Sequence, residues 1–357
     1  MRVFYTPQLE EFQPPYQIHF GRVVEASEVS GRARCVVKAL HEAGLAEIAE
    51  PCRFPLEAIE AVHAPEYVRF LQNANQMPFL DPESDGKPFE VIFPTVFPYS
   101  DRWQQRASAV MSLASLYCFD TYTPITPQVF EAARLSAECA LSGAEALLSG
   151  EQTVFAACRP PGHHATRRQC GGYCYFNNAA VAAHRLSCAG RVVVLDVDFH
   201  HGNGTQEIFY ASDAVGYISL HGDPATTYPY FSGYADELGE GKGRGYTRNF
   251  PLPPQTDDRT YLKTLEEALS ALRQMSPRFL ILSLGLDAHG EDPLANLALT
   301  TECYAAMAQR IAYLGLPTLI VLEGGYNLNR LGELAVTFFR AWEETRNSIS
   351  PEKEKSV

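Results

Sequence analysis

Side chains of the kinds that bind metals follow two apolar stretches of the chain. Asp198 and His200 come at the end of the segment 192–197 (VVVLDV), and Asp287 follows the segment 279–284 (FLILSL). Two carboxylates and one imidazole are suitable zinc ligands, and a zinc ion with only three protein ligands keeps an open position for catalysis. The pattern predicts a catalytic metal site, provided that the fold brings the two segments together.

Two further apolar segments are also followed by reactive side chains. The segment 153–157 leads through a Pro-Pro-Gly turn to His163 and His164, and the segment 318–322 leads through Glu-Gly-Gly to Tyr326. Adjacent histidines are costly to bury unless they have partners. A single Asp-x-His could belong to an ordinary capped loop, and a lone tyrosine after a strand is more often packed in the core. Four such motifs together favour a catalytic site.

The elements that carry these motifs alternate between strands and helices. The apolar segments are short and rich in β-branched residues, which predicts buried strands. Further short strands are predicted at 2–5, 215–220 and 246–250, and helical spacing occurs at 128–149, 178–189, 258–275, 301–314 and 330–345. This alternation predicts an α/β fold with a mainly parallel sheet and helices on both faces. Ligands bind at the carboxyl ends of such strands, where all four motifs lie.

Composition limits the classes of protein to consider. The chain has 357 residues, is 46% hydrophobic and carries a formal net charge of -13. Its length allows one large domain or two smaller ones, and we expect one catalytic domain at 1–346 with a frayed tail at 347–357. The negative charge disfavours nucleic acid and suits a cationic partner. The absence of a signal-like start or a long apolar run, with irregularly spaced cysteines, predicts a cytoplasmic protein without membrane contact.

The segment 75–127 differs from the rest of the chain. It is rich in proline, aspartate and aromatic residues and has no sustained periodicity. We predict a long irregular insertion, and insertions of that length tend to be either functional or disordered. Its aromatic residues favour an ordered one.

The chain resembles the histone deacetylase superfamily in six motifs that occur in order between about 150 and 330: PPGHHA, GGYCYFNN, LDVDFHHGNGTQ, ISLHGDP, LGLDAH and LEGGYN. It is similar to bacterial acetylpolyamine amidohydrolases at CFDTYTPIT (118–126), at HGDP (221–224) and in the glycine-rich loop 239–245. The resemblance implies an arginase/deacetylase-like three-layer fold with a mainly parallel central sheet flanked by helices. It also implies a zinc-dependent amidohydrolase that releases acetate and a free amine.

The resemblance assigns roles to the residues of the motifs. It implies that Asp198, His200 and Asp287 bind Zn²⁺, which polarises the amide carbonyl and activates water. His163 and His164 match the family's tandem pair, with His164 as the main general base and acid, oriented by Asn203, and His163 oriented by Asp196. An amide oxygen stabilises an imidazolium less than a carboxylate does, so we expect His164 to be the more readily neutral. Tyr326 matches the tyrosine that donates to the oxyanion.

The substrate channel and a second ion are also implied by the resemblance. Tyr173, next to Gly172, and Tyr228 are expected to grip a slender methylene chain, and Leu294 falls at the rim without a charge. A distant ammonium would then need a carboxylate from elsewhere, with Glu90, Asp101 and Asp120 as unranked candidates. A structural K⁺ is expected at Asp196, Asp198, His200, Ser219 and Leu220, mostly through carbonyl oxygens.

The expected substrate is a small cationic acetylated amine, with acetylated polyamines as the preferred class. In the acetylpolyamine amidohydrolases the insertion narrows the entrance by pairing two subunits, and 75–127 is long enough for that, so a homodimer is expected. One alternative is a deacetylase acting on acetyl-lysine in proteins or peptides. The other is a non-catalytic binding protein that kept the fold. Whether iron replaces zinc stays open.

Overall fold

The computed structural model describes residues 1–77, 89–98 and 106–349. Its strands in chain order are β1 (Arg2–Phe4), β2 (Gln17–His19), β3 (Arg22–Val24), β4 (Glu47–Ala49), β5 (Thr153–Ala156), β6 (Val192–Asp196), β7 (Val215–Gly222), β8 (Thr247–Leu252), β9 (Phe279–Leu284) and β10 (Thr318–Leu322). An eight-stranded sheet has the order β4-β1-β5-β10-β9-β6-β7-β8. All its pairings are parallel, whereas β2 and β3 form a separate antiparallel hairpin.

Helices flank the sheet. They are α1 (Arg32–Glu42), α2 (Glu57–Glu60), α3 (Pro65–Asn73), α4 (Val110–Tyr117), α5 (Val129–Leu148), α6 (Asn178–Ser187), α7 (Asn203–Phe209), α8 (Asp258–Met275), α9 (Thr301–Ala312) and α10 (Leu328–Ile349). Helices α5 and α6 pack together against β5 and β6, while α1, α10, α9 and α8 pack in that order on one another. None of the helices in the described ranges combines the length and the apolar character that a membrane crossing requires.

Strand order brings the four motifs together. Strands β5, β10, β9 and β6 are consecutive neighbours, and each is followed directly by one of the motifs. Because the four strands are parallel, their carboxyl ends lie at one edge of the sheet. Strands β6, β9 and β10 are buried along their whole length, which explains why they are apolar without alternation. The α/β fold expected from the sequence is confirmed.

Several strands and helices of the structure were not predicted from the sequence. Strands β2, β3 and β4 have only three residues each, of which at most one is buried. They lack the pair of buried apolar residues that β1, which is equally short, provides. Helix α4 lies inside 75–127, so the expectation of a wholly irregular segment is wrong for its described part. This helix is almost entirely apolar, which weakens a helical pattern, and it packs in a second hydrophobic cluster with helix α3. Residues 78–88 and 99–105 of the insertion lie outside the described residues.

The end of the chain also differs from expectation. Helix α10 continues to Ile349, past the predicted domain end at 346 and into the segment predicted to be frayed. Its apolar face, with Phe338, Phe339 and Trp342, is fully buried against the core. The remainder, 350–357, lies outside the described residues.

Candidate active site

Three predicted metal ligands converge at the edge formed by β6 and β9. Asp198, His200 and Asp287 each offer a ligand atom, and these atoms all lie within 4.8 Å of one another. Nδ1 of His200 is 3.3 Å from Oδ1 of Asp198 and 3.1 Å from Oδ2 of Asp287. Both carboxylates are fully buried. Backbone groups aim them, since Gly324 N–H donates to Asp198 (2.7 Å) and Phe199 N–H donates to Asp287 (3.0 Å).

The electrostatics of this cluster suit a divalent cation. Burial and the negative charge of Asp198 raise the pKa of the Asp287 carboxyl to about 7. Two buried carboxylates this close repel each other, and a cation held between them would offset that repulsion. Two carboxylate oxygens and one imidazole nitrogen are zinc ligands that leave a coordination position open. The residues therefore fit a catalytic zinc ion.

The tandem histidines have different partners. Nδ1 of His163 lies 3.1 Å from a carboxylate oxygen of Asp196, and Nδ1 of His164 lies 2.8 Å from the amide oxygen of Asn203. Burial lowers the pKa of His164 well below its ordinary value, and the positive charge of the neighbouring His163 lowers it further. Burial also opposes protonation of His163, but the charges of Asp198 and Asp196 outweigh it and raise the pKa of His163 to about 10. These shifts favour a neutral His164 beside a protonated His163.

The loop that carries Tyr326 is held by Arg32, which the sequence analysis missed. Arg32 is buried at the start of α1, and its guanidinium donates to the carbonyls of Glu323 (2.6 Å) and Gly325 (2.6 Å). It also lies over the Tyr326 ring, 4.7 Å from the centroid. Gly325 has φ +122°, a conformation that favours glycine. Arg32 is 293 positions from Gly325, so no local pattern could link them.

The buried carboxylate of Glu323 positions the backbone of the two histidines. Glu323 accepts hydrogen bonds from the N–H groups of Gly162 (2.7 Å) and His163 (3.1 Å) and from the Ser283 hydroxyl (3.0 Å). Burial raises the pKa of Glu323 to about 7. The side chain links the end of β10 to the turn after β5 and so positions the backbone of the histidine pair. Its only signal in the sequence was its place at the start of the Gly-Gly-Tyr loop.

A cavity of about 440 Å³ leads from these residues to the surface. It is lined by His164, His200 and Tyr326 together with all four predicted substrate-binding residues, Gly172, Tyr173, Tyr228 and Leu294. The Tyr228 ring is 4.9 Å from the His164 ring, and the Tyr173 ring is 5.7 Å from the Tyr326 ring. A Cβ at Gly172 would lie 2.3 Å from His164, so only glycine fits there.

Of the three candidate carboxylates for a distant ammonium, the two that the structure describes, Glu90 and Asp120, do not line the cavity. Asp120 is buried, and it accepts hydrogen bonds from Gly172 N–H (2.6 Å) and from the Tyr228 hydroxyl (2.8 Å). Asp120 therefore holds the cavity wall in place and does not face a substrate. Glu90 is exposed and does not line the cavity. Asp101 lies outside the described residues.

The residues expected to bind K⁺ are adjacent and mostly buried. Asp196 on β6 pairs in register with Ser219 on β7, next to Leu220, and all three are buried. The loop after β6 adds Asp198 and His200. The Ser219 hydroxyl lies 2.7 Å from Nδ1 of His221.

Known proteins are similar to this chain in sequence and in fold. Residues 26–342 match the family described as Histone deacetylase domain. Acetylpolyamine amidohydrolase 2 of Pseudomonas aeruginosa is 42% identical over 90% of this chain and 93% of its own, and Acetylpolyamine amidohydrolase of Mycoplana ramosa is 37% identical over 93% and 96%. The crystal structure of acetylpolyamine aminohydrolase from Burkholderia pseudomallei superimposes with a TM-score of 0.92 at 37% identity, covering 97% and 99% of the two chains.

The fold and the site are thus those of an amide hydrolase that acts as a deacetylase. The chain belongs to the histone deacetylase family, and within that family its similarity is to the acetylpolyamine amidohydrolases. The resemblance read from the motifs is confirmed.

We expect Arg32→Lys to lower kcat on an acetylated amine about tenfold, because one ammonium cannot bond two loop carbonyls and stack on Tyr326 in the way that a guanidinium does. KM and metal content should change little. Steady-state kinetics and elemental analysis check this. Arg34→Lys, at an exposed arginine on the same helix, is the control. An unchanged kcat in Arg32→Lys would show that the contact does not position the tyrosine.

Proposed function

We propose that this chain is a zinc-dependent deacetylase that hydrolyses acetylated polyamines to acetate and the free amine. The cavity that joins the metal-ligand cluster to the surface carries this proposal. Tyrosines wall it, and no lysine or arginine lines it in the described part of the chain. A passage with aromatic walls and without positive charge suits a cationic substrate with a methylene chain. The similarity to proteins named acetylpolyamine amidohydrolase supports the same substrate class.

Asp198, His200 and Asp287 would hold the zinc ion. When bound, zinc supplies Lewis acidity, which polarises an amide carbonyl and lowers the pKa of water. The backbone donors from Gly324 and Phe199 keep the two carboxylates aimed at the shared position. Such support from outside the ligand set orients metal ligands in proteins.

His164 acts as the general base and then as the acid. Its Nδ1 is held by Asn203, which leaves Nε2 to take a proton from the attacking water. The neighbouring His163 cation, with ring centroids 4.0 Å apart, disfavours a second positive charge on His164. A proton taken up by His164 is therefore readily passed on to the departing amine.

Tyr326 donates a hydrogen bond to the oxygen that becomes negative as the amide carbon turns tetrahedral. Burial raises the pKa of the Tyr326 hydroxyl well above its ordinary value, so at neutral pH it keeps the proton that it must donate. The Arg32 guanidinium beside the ring opposes part of that rise and adds positive charge near the oxyanion. Preorganised donors of this kind are typically worth several kcal/mol in the transition state.

A structural potassium ion and a cytoplasmic location complete the proposal. Asp196, Asp198, His200, Ser219 and Leu220 would supply the oxygen ligands that an alkali cation prefers. The adjacency of Asp196 on β6 to Ser219 and Leu220 on β7 supports this site, and the loop after β6 adds the other two residues. Elemental analysis of purified protein tests it. All nine cysteines are free thiols, which suits the reducing cytoplasm.

Exposed aromatic residues beside the cavity support a homodimer. Phe97 from the insertion, Tyr230 and Phe231 surround a second depression next to Tyr228, and Phe231 is 94% exposed. Large exposed apolar groups that lie together mark interaction surfaces. We expect the chain to sediment as a dimer at micromolar concentration and Phe231→Ser to weaken that dimer. Tyr313→Ser, at an exposed tyrosine elsewhere, is the control. A monomeric wild-type chain in analytical ultracentrifugation would rule the dimer out.

A substrate panel on zinc-loaded protein tests the reaction itself. We expect N-acetylputrescine and acetylspermidine to exceed acetyl-lysine peptides and folded acetylated histone in kcat/KM by about tenfold or more, because the tyrosine walls admit a slender chain. Chelation should abolish acetate release, and added zinc should restore it. A preference for acetyl-lysine peptides would favour the protein deacetylase alternative. Failure on every acetylated amine would overturn the proposed function.

Tyr326→Phe separates catalysis from binding. We expect kcat to fall about 10²- to 10³-fold, because the oxyanion loses its donor, while zinc content stays at the wild-type level. Acetate release and elemental analysis of the same sample measure both quantities. Tyr313→Phe should match wild type. A fully active Tyr326→Phe enzyme would show that another group is the oxyanion donor.

A further inference from the structure

Glu25 places a carboxylate on the cavity wall outside the metal cluster. Of the described residues that line this cavity, Glu25 alone is acidic, and none is lysine or arginine. Its side chain is exposed, and within the described ranges it is engaged in no ion pair or hydrogen bond. Asp120, by contrast, is committed to Gly172 and Tyr228. Glu25 is therefore the carboxylate that is free to meet a charged ligand.

The segment that carries Glu25 is anchored on both sides. Glu25 follows β3, the second strand of the β2–β3 hairpin. The hairpin is tied to the insertion, since Ile18 N–H donates to the Thr121 carbonyl (3.0 Å) and the Thr121 hydroxyl donates to the Ile18 carbonyl (2.9 Å). On the other side of Glu25, Ser27 N–H donates to the Gln17 side chain (3.1 Å). Glu25 thus belongs to an ordered wall.

A row of aromatic rings shows that this wall lies at the outer part of the cavity. Tyr228 contacts the catalytic His164 at 4.9 Å between ring centroids, Tyr122 contacts Tyr228 at 5.7 Å, and His19 contacts Tyr122 at 5.2 Å. His19 belongs to the same hairpin that leads to Glu25. The rings run outward from the reacting end, and Glu25 is an exposed residue of the same cavity lining.

The chemistry of the outer part matches an ammonium group. Aromatic faces attract cations through the ring quadrupole, and Tyr122 and Tyr230 both line the cavity there. A carboxylate adds direct Coulomb attraction. With the acetyl amide at the metal cluster, the far end of a linear diamine or triamine would extend toward this group. A neutral tail of the same length would gain no binding free energy from this carboxylate.

We propose that Glu25 is the residue that selects a cationic tail, by pairing with the remote ammonium of the acetylated amine at the outer end of the cavity. This inference rests on the proposed function, because it takes the acetyl group to be the reacting end. Since Glu25 is exposed, water and salt screen the pair, so its effect is a moderate discrimination between substrates.

Glu25→Gln should lower kcat/KM for N-acetylputrescine about three- to fivefold, mostly through KM, with kcat unchanged. N-pentylacetamide, which replaces the ammonium by a methyl group, should be hydrolysed equally by variant and wild type. Raising the salt concentration should reduce the wild-type preference for the cation and leave the variant unaffected. Glu25→Lys should cause a larger loss with the cationic substrate.

Glu47→Gln is the matched control, because Glu47 is an exposed glutamate at the start of β4 and away from the cavity. It should behave as wild type with both substrates. Equal losses on the cationic and the neutral substrate in Glu25→Gln, or no loss on either, would overturn the role of Glu25.

A binding measurement keeps this inference separate from the proposed function. Calorimetric titration with putrescine alone should show weaker binding to Glu25→Gln than to wild type or Glu47→Gln. If zinc-loaded wild type hydrolyses no acetylated amine, the proposed function is wrong, and the putrescine titration still decides whether Glu25 binds a cation. Equal putrescine affinity in all three proteins would refute the cation site.

Discussion

The site depends on burying several carboxylates at one edge of a parallel sheet. Asp196, Asp198, Asp287 and Glu323 are all fully buried around the ends of three strands. An uncompensated buried carboxylate costs several kcal/mol, so the fold must surround these groups with positive charge or hydrogen-bond donors. The histidine rings supply the charge, and the N–H groups of the loops supply the donors. The remaining repulsion between Asp198 and Asp287 is what a divalent cation relieves.

The balance of buried charges also gives the two histidines different pKa values. His163 lies against two aspartates and takes the positive charge, whereas His164 lies against an amide and stays neutral. The charge on one ring then lowers the basicity of the other. A histidine that is neutral at the working pH can accept a proton. Because its pKa is low, it also releases that proton readily. The asymmetry follows from the choice of Asp196 and Asn203 as partners, so the acid-base chemistry is a consequence of how the buried charges are balanced.

The side chains that line the cavity are buried in its inner part and exposed to solvent in its outer part. Around the metal ligands the side chains are buried and held by hydrogen bonds from three separate loops, which preserves geometry for the chemical step. Farther out, tyrosines with partly exposed rings and the exposed Glu25 face water. Electrostatic interactions are strong in the buried inner part of the cavity. In the solvent-exposed outer part they are weaker, because water and salt screen them. The proposed chemistry therefore belongs to the inner end, and the proposed substrate preference to the outer end.

The amino-acid sequence by itself determined the class of fold, seven of the ten described strands (β1 and β5 to β10) and the candidate reactive residues. Strands buried on both faces are short apolar runs, and ligand-binding residues follow them directly, so β9 and β10 and their motifs were visible without coordinates. The tertiary structure alone decided which distant groups support the site. Arg32, Glu323 and Asp120 act through contacts set by strand order and loop packing, and their types and spacings are those of ordinary charged residues. The β2–β3 hairpin is too short to leave a pattern, and only its packing against the insertion carries Glu25 to the cavity.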